Sequence, residues 1–372
     1  MMAESMYIHI PFCNRICTYC DFNKVLIDNQ PVDAYVDALI KEIKQIEPMT
    51  LRTIFVGGGT PTALSEAQLE RLLIEIGSRF TVTEEFSFEA NPDELTMAKL
   101  DLLHRYGVNR ISLGVQTFND ELLKVLGRSH NYEDIFRAIS HLEEIGLTNY
   151  SIDLMYNLPG ETMDDIQDSL KYISELKPKH ISWYSLIIEP HTVFYNRIRK
   201  GQMKVDDDEA EGEKYMHIIS ELEKLGYPQY EISNFSEREY ESAHNKTYWK
   251  NDEYFGLGAG SHGYVGGKRY YNIKPVNHYI QAMEEKGSAV KEIIELTLKE
   301  QMEEEMFLGL RMNRGVHTRR FEEKYDRNIK SVYGEVIDDE IEKGNLEEKE
   351  GSISLTKAGR LVGNSVFIGF LN

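Results

Sequence analysis

No apolar stretch in this chain approaches the roughly 20 residues that a membrane-spanning helix needs. The late run SVFIGFL reads as the last piece of a core. Net positive charge is also missing. Acidic side chains number 62 against 42 basic ones, leaving −20 at pH 7. A field of that sign disfavours nucleic acid and tight adhesion to an anionic membrane. Prolines number 10 and no tract is compositionally biased, so long disorder is not expected. The opening MMAES has no basic-then-apolar leader, and the reading is a cytoplasmic chain with reduced thiols. Cysteine is nearly absent: three in 372 residues, an odd number that excludes a full disulfide framework.

What is present is a repeated unit of short apolar run, turn and amphipathic helix. The apolar runs lie at 7–12, 53–59, 86–91, 110–116, 150–160 and 180–188. They are rich in β-branched and aromatic residues and read as buried parallel strands. Between the first two, Val32, Tyr35, Val36, Leu39, Ile40 and Ile43 share one helical face. Ser65 is placed to cap the next helix, and the helix at 206–227 opens on acids that suit its dipole. Six such units predict an α/β fold. A partial (β/α)6 barrel of the TIM type is favoured over an open sheet, because candidate polar residues fall at the ends of many strands.

The pattern changes near residue 230. Residues 231–289 are aromatic and glycine-rich and carry HNKTYW. Residues 290–372 read as a smaller C-terminal α+β domain of winged-helix-like shape. In it, 331–344 is a helix, 345–355 a hairpin turning at Glu350–Gly351, and a last helix starts at Thr356. Its acidity argues against DNA binding and for a packing role. The division is therefore 1–230, 231–289 and 290–372.

All three cysteines fall together, as Cys13-x3-Cys17-x2-Cys20 in FCNRICTYCDF. No second Cys-x2-Cys exists to complete a four-thiolate zinc site. Three thiolates in a short loop suit a [4Fe–4S] cluster with one iron left open. Zinc completed by His9, or a trio without a metal, stays open at this point.

That spacing, after the first strand of a βα barrel, resembles the radical S-adenosylmethionine (SAM) superfamily. YIHIPFC, CDF, FVGGGTPT, SFEANP and LGVQTF narrow the resemblance. From residue 6 to the C-terminus the chain is similar to the oxygen-independent coproporphyrinogen III oxidases and their HemW-type haem-chaperone branch. The resemblance implies a [4Fe–4S] cluster on Cys13, Cys17 and Cys20, with SAM on the open iron.

Bare backbone at Gly57–Gly59 lets a ligand approach closely. The run lacks the Gly-Lys-Ser/Thr ending of a phosphate loop. Glu89, Gln116 and Asp153 lie at strand ends that a barrel gathers at one mouth. The resemblance implies cofactor contacts at Tyr7, Tyr19, Gly58, Gly59, Thr60, Glu89, Gln116, Arg128, Asp153 and Ser185. Histidine can ligate haem iron and aromatic rings can pack on a porphyrin. His244, Tyr248 and Trp249 of HNKTYW match the chaperone branch's haem-associated signature.

Two departures separate the chain from the oxidases. Phe22 stands where they carry a further cysteine, and only a short arm precedes Cys13. The expectation is a haem chaperone that delivers haem to respiratory haem proteins, with no assigned catalytic residue. The alternative is oxidative decarboxylation of coproporphyrinogen III. Docking at a membrane would go through a partner, and a homodimer is a further expectation.

Overall fold

The computed structural model describes residues 3–371. Met1 and Met2, part of the segment read above for a leader, and Asn372 lie outside the described residues. Each apolar run is a strand: β1 Ser5–Ile10, β2 Met49–Gly58, β3 Phe80–Ala90, β4 Arg110–Gln116, β5 Tyr150–Tyr156 and β6 His180–Ser185. They pair in chain order, all parallel, with Ser5 beside Thr53 and Ser87 beside Arg110. Two additions extend this sheet to nine strands. Phe255–Leu257 joins β1 in parallel, and Asn234–Ser236, followed by Gln229–Glu231, joins β6 antiparallel.

Side chains alternate across each strand. Met6, Ile8 and Ile10 of β1, Ile54 and Val56 of β2, and Phe86 and Phe88 of β3 pack outward into the helix-covered core. The same holds for Ile111 and Leu113, Ile152 and Leu154, and Ile181 and Trp183. Burying each such side chain contributes roughly 1.5–3 kcal/mol. Most of the interleaved residues are polar and several are small: Ser5, Thr53, Ser87, Ser112, Ser151 and Ser182. A barrel interior is ordinarily filled by branched apolar side chains. Here short hydroxyl side chains leave room for a chamber.

The outer helices follow their signals. Ser65 accepts a hydrogen bond from the Gln68 N–H in a complete capping box that starts the helix Glu66–Arg79. Asp207 caps Asp208–Lys224, whose first turn carries Asp208, Glu209 and Glu211. The helices Val32–Ile43, Glu66–Arg79 and Met97–Arg105 pack side by side along one flank.

Past the nine-stranded sheet, His262–Val265, Lys268–Asn272 and Val290–Glu295 form a separate antiparallel sheet. The C-terminal region has its own core, with Met306, Leu310, Phe321, Ile337, Ile353 and Phe370 fully buried. The predicted hairpin is Leu346–Lys349 with Ser352–Leu355, turning at Glu350 and Gly351, both at positive φ. Val316–His317 pairs beside it, and helices Thr318–Tyr325 and Ile329–Glu342 precede it. Among the described residues no helix is long and apolar enough to cross a membrane.

Candidate metal and cofactor centre

The chain leaves β1 through Phe12–Cys13, which pairs in parallel with Val25–Leu26 and so clamps the base of the cysteine loop. Four more ties fix the loop. The Thr18 N–H donates to Leu126 O at 3.0 Å, and the Phe194 N–H to Thr18 O at 3.1 Å. Asn14 Nδ2 donates to Glu94 at 2.9 Å, and Asn23 Nδ2 to Ala259 O at 2.8 Å. The three thiols line one wall of a chamber of about 460 Å³. Among the described residues, no three His, Cys, Asp or Glu side chains converge on a single-ion site.

Burial pushes the Cys13 thiol up to about 12; a hydrogen bond from Thr60 works against this, while Cys20 and Cys17 add to it. A cation sits beside the middle thiol: Arg128 Nη1 lies 3.3 Å from Cys17 Sγ. Arg128 Nη2 is fixed by Asn91 Oδ1 at 2.6 Å and Gly114 O at 2.8 Å. Metal binding would displace the protons that burial otherwise holds on Cys13 and Cys20. The donor set therefore fits an iron–sulfur cluster, in which each thiolate binds its own iron. The cradle fits too. A Cβ on Gly59 would lie 2.7 Å from Phe12 O and 2.9 Å from Cys13 Sγ, so no other residue passes there.

The chamber's opposite wall comes from the strand ends. Glu89 accepts a hydrogen bond from the Gly58 N–H at 2.9 Å. Burial lifts its carboxyl to about 7, the Gly58 contact opposes this, and Asp153 reinforces it. Asp153 is also raised by burial, against hydroxyl donors on Ser112 at 2.6 Å and Ser151 at 2.8 Å. Gln116 ends β4 in the left-handed region at φ 70°. Tyr7 reaches His9 Nδ1 at 2.9 Å, and Tyr19 and Thr60 complete this side of the lining.

Of the residues expected from sequence, Tyr7, Tyr19, Gly58, Gly59, Thr60, Glu89, Gln116, Arg128 and Asp153 all line this chamber with the cysteines. Ser185 does not. It hydrogen-bonds to Glu211 at 2.6 Å, whereas Tyr184 and Ser182 line the chamber, as strand alternation requires.

HNKTYW is the helix Ala243–Trp249, capped by Ser242. His244 and Tyr248, four apart, share a face and line the chamber. Trp249, the next residue, lies about 100° further round. It lines a different cavity, with Arg311 stacked 4.6 Å from its ring. His244 is fully buried. Its Nδ1 meets Thr53 Oγ1 and its Nε2 the Tyr248 hydroxyl, both at 2.8 Å. Burial pushes its pKa down to about 4, with Glu85 opposing and Arg52 assisting. Haem ligation by His244 would need one of those two bonds to break.

Sequence reading missed Asn91, which bridges Arg128 to Thr60 (3.2 Å), and the chamber floor of Arg110, Ser112, His180 and Ser182. The signal was there, as polar residues alternating with the apolar ones inside the strand runs.

A family model described as the Radical SAM superfamily matches residues 7–173, and one described as the HemN C-terminal domain matches 296–362. Heme chaperone HemW of Bacillus subtilis (strain 168) is 48% identical, covering 99% of this chain and 99% of that one. This chain belongs to the HemW family. Heme chaperone HemW of Lactococcus lactis subsp. lactis (strain IL1403) is 46% identical over 99% of this chain and 97% of its own. Among solved structures, coproporphyrinogen III oxidase (HemN) from Escherichia coli, titled a radical SAM enzyme, aligns with a TM-score of 0.86 at 26% identity. That alignment covers 99% of this chain and 90% of HemN. The α/β radical SAM fold with its smaller C-terminal domain thus agrees with expectation, and radical SAM membership implies a [4Fe–4S] cluster and SAM.

Proposed function

We propose that this protein binds haem and hands it to respiratory haem proteins, holding a [4Fe–4S] cluster on Cys13, Cys17 and Cys20 with SAM beside it. The observation that carries the reading is similarity, over essentially the whole of both chains, to relatives named heme chaperones. The chamber supports it: three thiols face a bare glycine turn and a set of strand-end acceptors across one space.

When bound, a reduced cluster of this kind supplies the electron that cleaves the S–C5′ bond of SAM. The chain's own part is placement. Gly58, Gly59 and Thr60 offer close backbone approach to the methionine end. Glu89 keeps one carboxyl oxygen on the Gly58 N–H and has the other free for an ammonium group. Arg128 holds Cys17 and the Asn91–Thr60 bridge in one arrangement. Ile16 and Phe22 line the chamber and are exposed, at 36% and 67%, an apolar edge suited to a planar macrocycle. Residues 1–230 would carry the cofactors and 231–289 the haem contacts, Tyr248 among them. Residues 290–372 would serve as a packing domain, and transfer to the recipient would take place in the cytoplasm or, through that partner, at a membrane.

The likeness to HemN makes oxidative decarboxylation the competing activity. Anaerobically reconstituted protein is given coproporphyrinogen III, SAM and a reductant, and in parallel is titrated with haem. A Soret band that grows to saturation, with no decarboxylated tetrapyrrole, is expected. Decarboxylated product overturns the chaperone reading.

A further inference from the structure

Beside the chamber lies a second cavity of about 420 Å³. The two share a wall, since Tyr7, Phe22, Gly58, Glu89 and Tyr248 line both. Four histidines face these spaces: His180 and His244 the first, His9 and His262 the second. Three of them have both ring nitrogens engaged. His9 is held by Tyr7 and by Asn23 O at 2.8 Å, and His244 by Thr53 and Tyr248. His180 is held by Ser151 at 2.9 Å and by the Tyr230 hydroxyl at 2.8 Å.

His262 differs. Among the described residues its ring makes no hydrogen bond, and it is exposed. Its backbone is fixed by pairing with Tyr271, and its ring stacks on that tyrosine at 5.5 Å with 28° between the planes. Partial burial, then Lys274 and Arg269, lower its pKa, which favours the neutral imidazole that can donate a lone pair to a metal. Around it the second cavity offers Tyr248 and Tyr254, edge to face at 4.7 Å, the exposed Phe22 ring, the Lys274 ammonium and the Asp21 carboxyl. A free imidazole, aromatic surface and one cation match an iron macrocycle with carboxylate arms.

Resting on the haem-binding reading above, we infer that haem sits in this second cavity, with His262 as its axial nitrogen ligand and Lys274 paired to a propionate. Tyr248 and Tyr254 pack on the macrocycle. The shared wall places haem directly beside the Gly58–Glu89 side of the SAM chamber.

The test is hemin titration of anaerobically reconstituted protein, read by the Soret band and by electron paramagnetic resonance of the ferric form. His262→Ala is expected to weaken haem binding roughly tenfold or more and to lose the nitrogen-ligand signature. Added imidazole is expected to restore that signature. Lys274→Ala is expected to weaken binding without changing the signature, and His104→Ala, on an outer helix, to match wild type. A His262→Ala protein with wild-type spectrum and affinity overturns the assignment while leaving haem binding intact. Loss of the signature in His244→Gln but not in His262→Ala overturns it equally. A wild-type protein that takes up no haem overturns both the assignment and the reading beneath it.

Discussion

Replacing Gly58 by alanine tests how tightly the cofactor wall is built. Gly58 sits at φ +123°, where a side chain is strained, and its Cβ would fall 2.5 Å from His9 Cε1 and 2.6 Å from Nδ1. His9 cannot swing aside freely, because Tyr7 holds one ring nitrogen at 2.9 Å and Asn23 O the other at 2.8 Å. Backbone strain of this kind costs about 1–3 kcal/mol. Overpacking adds about 1–3 kcal/mol. Gly58→Ala should therefore destabilise the cofactor-free protein by roughly 2–6 kcal/mol, a large part of a typical 5–15 kcal/mol. Gly77 is the internal control. It lies in the helix Glu66–Arg79, and a Cβ there meets nothing within 4 Å. Gly77→Ala should stabilise by about 0.5–1 kcal/mol. The assay is urea unfolding followed by circular dichroism, together with SAM affinity of the reconstituted protein. The expected order of midpoints is Gly77→Ala, wild type, then Gly58→Ala, with SAM affinity falling in Gly58→Ala alone. A Gly58→Ala protein with wild-type midpoint and affinity refutes the packing argument.

Other expectations follow from the same chamber. Glu89 has its carboxyl raised from 4.5 to about 7, chiefly by burial. The folded state then holds a proton that the unfolded chain releases. The carboxyl's contribution is thus fully present below its unfolded pKa and is lost as pH rises through about 7, by no more than about 3 kcal/mol. Urea midpoints of the cofactor-free protein should fall across that window, and Glu89→Gln should flatten the fall; an unchanged slope contradicts it. Arg128→Met leaves Asn91 Oδ1 and Gly114 O without their donor and Cys17 without its cation. A loss of about 2–4 kcal/mol and incomplete cluster loading are expected, read by unfolding midpoint and iron content. Wild-type iron content would show that the cation does not set the thiol.

The strands were legible because each is a short apolar run closed by a turn, and the helices because Ser65 sits where a cap belongs and acids open the segment at 206–227. The Glu350–Gly351 turn was legible for the same local reason. What escaped was non-local. Phe255–Leu257 is three residues with a central glycine, too short for any periodicity, and it becomes a strand only by pairing with β1. Ser185 was expected at the cofactor from the resemblance alone, and the one-residue alternation of β6 turns it toward Glu211. HNKTYW suggested a single ligand group, but helical geometry keeps His244 with Tyr248 and sends Trp249 elsewhere. His262 carried no signal at all. Its free nitrogens matter only against three neighbouring histidines whose ring nitrogens are all engaged.

The most direct measurement is iron and acid-labile sulfide content, with electron paramagnetic resonance of the reduced protein, before and after adding SAM to anaerobically reconstituted wild type and to Cys13→Ser, Cys17→Ser and Cys20→Ser. About four irons and four sulfides per chain are predicted for wild type, with a spectrum that changes on adding SAM and clusters lost in each variant. Iron-free wild-type protein, or a cluster spectrum indifferent to SAM, would contradict the account.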